Sequence, residues 1–226
     1  TSSTTQLQKT MRSEKTVLKL TDVSVTYGSR GGLFSRQKAF EAVSHATLSL
    51  ARGKTLALVG ESGSGKTTLG KAALGLLENA AVSGSVEIAG EVAFDARGRF
   101  KRHLRSCAQI VFQDPFASLD PRMSVGELVS EGIMALCPGL SKADARRKVS
   151  ELLDSVGLPS AAADRLAHEF SGGQRQRIAI ARALAVEPQI VVCDEPTFAL
   201  DVSVQAQILN LLREIQAEQG VSYLFI

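Results

Sequence analysis

Thr55-Leu56-Ala57-Leu58-Val59-Gly60-Glu61-Ser62-Gly63-Ser64-Gly65-Lys66-Thr67-Thr68 decides the fold. Its first five residues are a short, nearly unbroken apolar run, the pattern of a strand buried on both faces of a parallel sheet. Gly60, Gly65, Lys66 and Thr67 then occupy every fixed position of G-x-x-x-x-G-K-[ST]. Beyond the lysine, Leu69, Ala72, Ala73, Leu76 and Leu77 recur at helical spacing and predict one apolar stripe. Strand, glycine loop and helix in that order make a phosphate cradle. Backbone N–H groups along Gly60, Glu61, Ser62, Gly63, Ser64 and Gly65 turn inward around an anion, and the helix N-terminus adds partial positive charge. Lys66 reaches the β- and γ-phosphates, Thr67 offers its hydroxyl to Mg²⁺, and Thr68 supports the phosphates beside it.

Counting removes two rival glycine motifs. A dinucleotide fingerprint starting at Gly63 needs glycine where Thr68 stands, and a nucleophile elbow starting at Gly60 needs glycine where Ser64 stands.

A second apolar run, Ile190-Val191-Val192-Cys193, ends in Asp194-Glu195 and Pro196. Carboxylates at the C-terminal end of a parallel strand lie where such sheets collect ligands. Downstream of a phosphate loop, Asp194 is assigned to the Mg²⁺ shell and Glu195 to activation of water. About twenty residues earlier, Phe170-Ser171-Gly172-Gly173-Gln174 forms a second glycine loop. Ser171 to Gln174 fits the S-x-x-Q capping box of a helix carrying Ile178, Ala181 and Ala185. The same loop suits an anion. Local geometry does not choose between cap and ligand.

With Gln113 in Val111-Phe112-Gln113-Asp114-Pro115 and Asp201 in Phe198-Ala199-Leu200-Asp201, these segments resemble the ATP-binding domain of ABC transporters. The resemblance runs from about Val17 to the last residue. It implies a P-loop NTPase α/β core with a mostly parallel sheet. An antiparallel β subdomain near the N-terminus and an inserted α-helical subdomain at about 115–170 go with it. It also implies ATP and Mg²⁺ as ligands and a head-to-tail pair of ATPase subunits, identical or paralogous. In that pair Ser171, Gly172, Gly173 and Gln174 face the partner's nucleotide, Gln113 senses Mg²⁺ and the attacking water, and Asp201 crosses the interface. Tyr27 matches the aromatic residue that stacks on adenine.

A finer resemblance, to ATPase subunits of oligopeptide and dipeptide importers, rests on Phe112 to Met123, His168-Glu169, Asp201 to Gln207 and the Gly31–Arg36 insertion. It implies transmembrane permease subunits as direct partners and a solute-binding protein as an indirect one. The place of action is then the cytoplasmic face of the inner membrane, with peripheral attachment. The stretch Phe116–Val129 is expected to receive a helix of the permease. Peptides, nickel chelates, glutathione and murein fragments all remain open as cargo. A soluble ABC ATPase of an enzyme complex of the phosphonate-breakdown type, or one working on ribosomes or DNA, is the alternative.

Three positions depart from the pattern: Asp120 where asparagine is usual, Cys193 where a small apolar residue is usual, and Phe198 where serine is commoner. None of His45, His103 and His168 matches the family's switch histidine by position, and all three are expected to be surface or structural. Residues 1–16 read as a disordered leader or linker, and the ATP-binding domain as 17–226. The chain is expected to be C-terminally truncated, with weak hydrolysis by itself and a poorly paired strand at Val221–Ile226.

The 226 residues allow one large α/β domain or two small ones. No run approaches the ~18 apolar residues of a membrane span, so a membrane role must come through partners. Three widely spaced cysteines form no C-x-x-C pair and suit reduced thiols. The net charge of +3 is modest. The basic cluster Lys101-Arg102-His103-Arg105 lacks the interleaved aromatics of a nucleic-acid platform, so no nucleic acid is expected.

Overall fold

The computed structural model describes residues 15–28, 39–137 and 139–226. The Gly31–Arg36 insertion and all but the last two residues of the expected leader lie outside them. The leader reading gives way at Thr16, which opens the first strand opposite Ala51.

Two four-stranded sheets form the frame. The antiparallel sheet has the order β2 (Phe40–Ala51), β1 (Thr16–Tyr27), β4 (Ala80–Ile88), β5 (Glu91–Val92). The parallel sheet has the order β3 (Thr55–Ala57), β8 (Ser222–Phe225), β7 (Ile190–Cys193), β6 (Ala108–Val111). Helix α1 (Lys66–Ala73) follows the phosphate loop. A short α2 (Pro115–Ser118), α3 (Val125–Leu136) and α4 (Lys142–Ser155) lie in sequence between β6 and α5 (Gly172–Leu184). Helix α6 (Val202–Gln219) leads into β8.

Side-chain alternation along the parallel strands explains their continuous apolar runs. Ile190 and Val192 of β7 face a core shared with α1 and the antiparallel sheet, while Val191 and Cys193 face a second core built on α3 to α6. With both faces covered, every residue of β7 is buried. Burial also pushes the Cys193 thiol up to about 12, so it stays protonated and packs as a small hydrophobe.

Three expectations change. The strand ahead of the phosphate loop is not buried on both faces. β3 is an edge strand paired only to β8, so Thr55 and Ala57 are exposed and Gln216 of α6 hydrogen-bonds the Thr55 hydroxyl. Conversely β8, expected to be poorly paired, lies between β3 and β7 and bonds to both. The stripe through Leu76 and Leu77 overruns α1, which ends at Ala73. The Leu76 amide turns back to the Lys71 carbonyl, and Leu76 is left on the surface.

β1 and β2 are irregular where Asp22 and His45 take left-handed conformations. Side chains repair the ladder there. The Asp22 amide donates to Thr47 Oγ1, the His45 amide to Ser24 Oγ, and His45 Nδ1 lies 2.6 Å from Asp22 Oδ1. His103 meets Glu91, which also takes Lys101, so half of the basic cluster is engaged locally by one carboxylate. His168 lies 3.4 Å from the Pro121 carbonyl.

Candidate functional site

The residues read as chemical converge at the C-terminal ends of β3, β7 and β6, where parallel sheets collect ligands. Half of them border a cavity of about 560 Å³. Ser62, Gly63, Gly65, Lys66, Thr67 and Thr68 form one wall. β1 and β2 contribute Tyr27, Phe40 and Ala42, and Gln113, Glu195 and Phe198 close the remaining side.

The phosphate loop is tied together by its own lysine. Lys66 Nζ donates to the carbonyls of Gly60 (2.9 Å) and Glu61 (2.6 Å) and lies 3.3 Å from Ser64 Oγ. Gly65 sits at φ +88°, and a Cβ there would stand 2.3 Å from the Ala42 carbonyl oxygen. The loop therefore rests directly on β2. Gly65→Ala combines left-handed strain with a backbone clash, each of order 1–3 kcal/mol. The expected outcome is a lower melting temperature together with lost nucleotide affinity, read by thermal unfolding and equilibrium binding. Wild-type values for both would mean that loop and strand separate freely.

Thr67 Oγ1 and Asp194 Oδ1 are 2.7 Å apart, which joins the first turn of α1 to the end of β7. Asp194 is 3% exposed and Thr67 half-buried, so hydroxyl and carboxylate oxygens meet in a sheltered place. An all-oxygen donor set of this kind suits Mg²⁺, and the glycine loop with Lys66 suits the phosphates that such an ion accompanies. Gln113 Nε2 donates to Glu195 Oε2 at 2.7 Å. Glu195 has φ +44°, rare outside glycine, held by its amide on the Ile226 carbonyl and by the Phe198 amide on its own carbonyl. Such strain clusters at reactive positions.

Ser171, Gly172, Gly173 and Gln174 lie outside this cavity, as does Asp201. The capping box of α5 is complete. Ser171 Oγ accepts from the Gln174 amide and the Gln174 side chain accepts from the Ser171 amide. A Cβ on Gly173 would stand 2.6 Å from Val204 Cγ1, so the loop packs closely on the start of α6. Asp201 is the exposed N-cap of α6, and its carboxylate makes no cap bond. Arg175 ties this loop to the segment after Gln113. Its guanidinium donates to the carbonyls of Ala167 and His168 and lies 3.6 Å over the Phe116 ring. Nearby, Asp120 forms a two-pronged pair with Arg122, which holds its carboxyl down at about 2.

Phe40 and Ala42 escaped the sequence reading. Only the register Tyr27 opposite Phe40 brings them to the cavity, and register is not written in local sequence. Phe198 stands in the cavity wall and is 60% exposed.

The family model described as ABC transporter matches residues 43–198. The chain belongs to the ABC transporter family. Within it, 216 residues are 46% identical to the dipeptide transport ATP-binding protein DppF of Lactococcus lactis subsp. cremoris, covering 96% of this chain and 68% of that protein. The oligopeptide transport ATP-binding protein OppF of Salmonella typhimurium is 44% identical over 215 residues, 94% of this chain and 64% of that protein. This cassette is thus of the oligopeptide and dipeptide transport type in sequence, and it spans about two thirds of the length of such relatives. Among solved structures, cbiO1 from Clostridium perfringens, part of the ABC transporter complex cbiONQ, superposes with a TM-score of 0.75 at 30% identity, covering 94% of this chain and 78% of that one. An ATP-binding cassette solved as a dimer in a post-hydrolysis state with ADP and Pi gives a TM-score of 0.75 at 29% identity, covering 92% and 86%. The α/β fold with its separate antiparallel sheet is that of the ABC ATPases.

Proposed function

We propose that this ABC cassette is the ATP-hydrolysing subunit that powers import of peptides or similar small solutes through a separate membrane permease. The observation that carries the reading is the cavity itself. Lys66 and Thr67 at the phosphate loop, Glu195 after β7 and Gln113 after β6 line one volume, and Asp194 is tied to it through Thr67. Thr67, Asp194 and Gln113 would hold Mg²⁺, which supplies charge neutralisation on the phosphates. Lys66 and the loop amides would bind and orient the triphosphate. Glu195, released from Gln113, would take the proton of the attacking water.

The position of Ser171–Gln174 and Asp201 outside the cavity supports the ligand reading of the second glycine loop beside the cap: it serves the nucleotide of a partner cassette in a head-to-tail pair. The ATP-binding domain runs from Thr16, the first residue of β1, to residue 226, with 115–170 as its helical subdomain. The surface of that insertion suits a permease helix, because Phe116 and Met134 are 62% and 52% exposed there. Among the described residues no helix is long and apolar enough to cross a membrane. Peripheral attachment at the cytoplasmic face therefore runs through the permease.

The test is a pull-down from detergent-solubilised native membranes with mass spectrometry of the bound proteins. Two permease subunits and a solute-binding protein are expected. Recovery of ribosomes or a soluble enzyme complex without a permease would overturn the transport reading.

A further inference from the structure

Phe40 is 63% exposed at the first position of β2 and lies opposite Tyr27 of β1 in the antiparallel register. Directly opposed residues project from the same face with Cβ atoms ~5 Å apart. Both rings line the cavity, and so does Ala42 two residues further along the same face. The two rings do not stack on each other; the close aromatic pair in the described residues is Phe94 with Phe100.

β2 is also the strand on which the phosphate loop rests. Gly65 packs against the Ala42 carbonyl, so Phe40 is held at a fixed offset from the loop. Phe40 precedes Ala42 by two residues, so the aromatic side chain and the seat of the phosphate loop belong to one strand. The strands thus offer the cavity two aromatic side chains and a methyl group. Among the described residues of these strands that line the cavity, the hydrogen-bonding side chain is the Tyr27 hydroxyl.

We propose that Phe40 is a second base-stacking residue, which together with Tyr27 forms an aromatic platform for the nucleobase of a bound nucleoside triphosphate. The proposal rests on the nucleotide reading of the cavity and adds how the base is recognised. A platform of π-faces selects a flat heterocycle without reading its edge, because every base has a π-face. It therefore accepts adenine and guanine nearly equally, and nucleotide choice falls to the supply of ATP.

The experiment titrates the chain with ATP, GTP and inorganic tripolyphosphate, which carries the phosphates without a base. The proteins compared are the unsubstituted chain, Phe40→Ala, Phe40→Leu and Phe40→Trp. Loss of one stacking face predicts about five- to tenfold weaker binding of both ATP and GTP for the alanine and leucine variants. Tripolyphosphate affinity should hold, and tryptophan should restore ATP binding.

Leucine keeps apolar bulk and lacks a π-face, so leucine binding ATP as well as phenylalanine does would overturn stacking. Unchanged ATP affinity in the alanine variant would overturn it too. Equal weakening of all three ligands would reassign Phe40 to propping the Gly65 contact. Failure of the unsubstituted chain to bind ATP or tripolyphosphate would instead sink the nucleotide reading beneath the proposal.

Discussion

Glu195→Gln should slow ATP turnover by about 10²–10⁴-fold while ATP still binds. The substitution keeps the shape of the side chain and removes only its capacity to take a proton. The new amide carbonyl can still accept from Gln113 Nε2, so the 2.7 Å contact between the two segments survives. The left-handed turn at residue 195 is fixed by backbone bonds to Ile226 and Phe198, which the substitution does not touch. Folding and nucleotide affinity are therefore separable from chemistry in this variant. Phosphate release in a coupled assay, beside equilibrium binding of ATP, provides the check. Turnover within a few-fold of the unsubstituted protein would remove Glu195 from the role of base. Weakened binding with intact turnover per bound ATP would make it a ligand-positioning group instead.

Lys66→Ala acts one step earlier. A charged donor to a phosphate contributes roughly 1.5–3 kcal/mol, so ATP affinity should fall about 10- to 150-fold. The loss has two physical sources. One is the missing charge at the β- and γ-phosphates. The other is internal, because Lys66 Nζ bonds to the Gly60 and Glu61 carbonyls and steadies the loop before any anion arrives. The two can be told apart with Lys66→Arg, which retains charge and donors but not the compact ammonium geometry. Affinity recovered by arginine assigns the loss to charge. Equal loss in both variants assigns it to the shape of the loop. Unchanged ATP affinity in the alanine variant would reject the lysine's place in the site.

The chemical half of this molecule was legible because it is local. Gly60 to Thr68 fixes a phosphate loop within nine consecutive residues. Ser171 to Gln174 fixes a capping box within four, and Asp194-Glu195 follows a run apolar enough to be a doubly covered strand. Long-range arrangement was not legible. That β3 is an edge and β8 central depends on which strands pair across more than 160 residues, and local apolarity is similar in both. The end of α1 at Ala73 was hidden because Leu76 and Leu77 continue the helical period after the helix has stopped. Phe40 was missed for a related reason. Its place opposite Tyr27 depends on a β1–β2 ladder whose register shifts repeatedly, near the left-handed Asp22 and His45 among other places. Tyr27 was found by resemblance, and the residue beside it in space was not.

The central place of β8 also sets an order of events during synthesis. The strand ahead of the phosphate loop and the strand carrying Asp194 do not pair with each other; each is hydrogen-bonded to β8. Beyond the strand ends, the Leu58 amide bonds to the Phe225 carbonyl and the Glu195 amide to that of Ile226. On the ribosome the loop is complete at Thr67 and has β2 to rest on, but β3 has no strand to pair with until residues 222–226 emerge. At about 5–20 residues per second that wait is roughly 8–30 s. Throughout it the edge of β3 stays open to wrong partners, and β7 adds a second open edge once residues 190–193 are made, so a nascent chain of this kind is most exposed to misassembly just before it becomes able to hold a nucleotide.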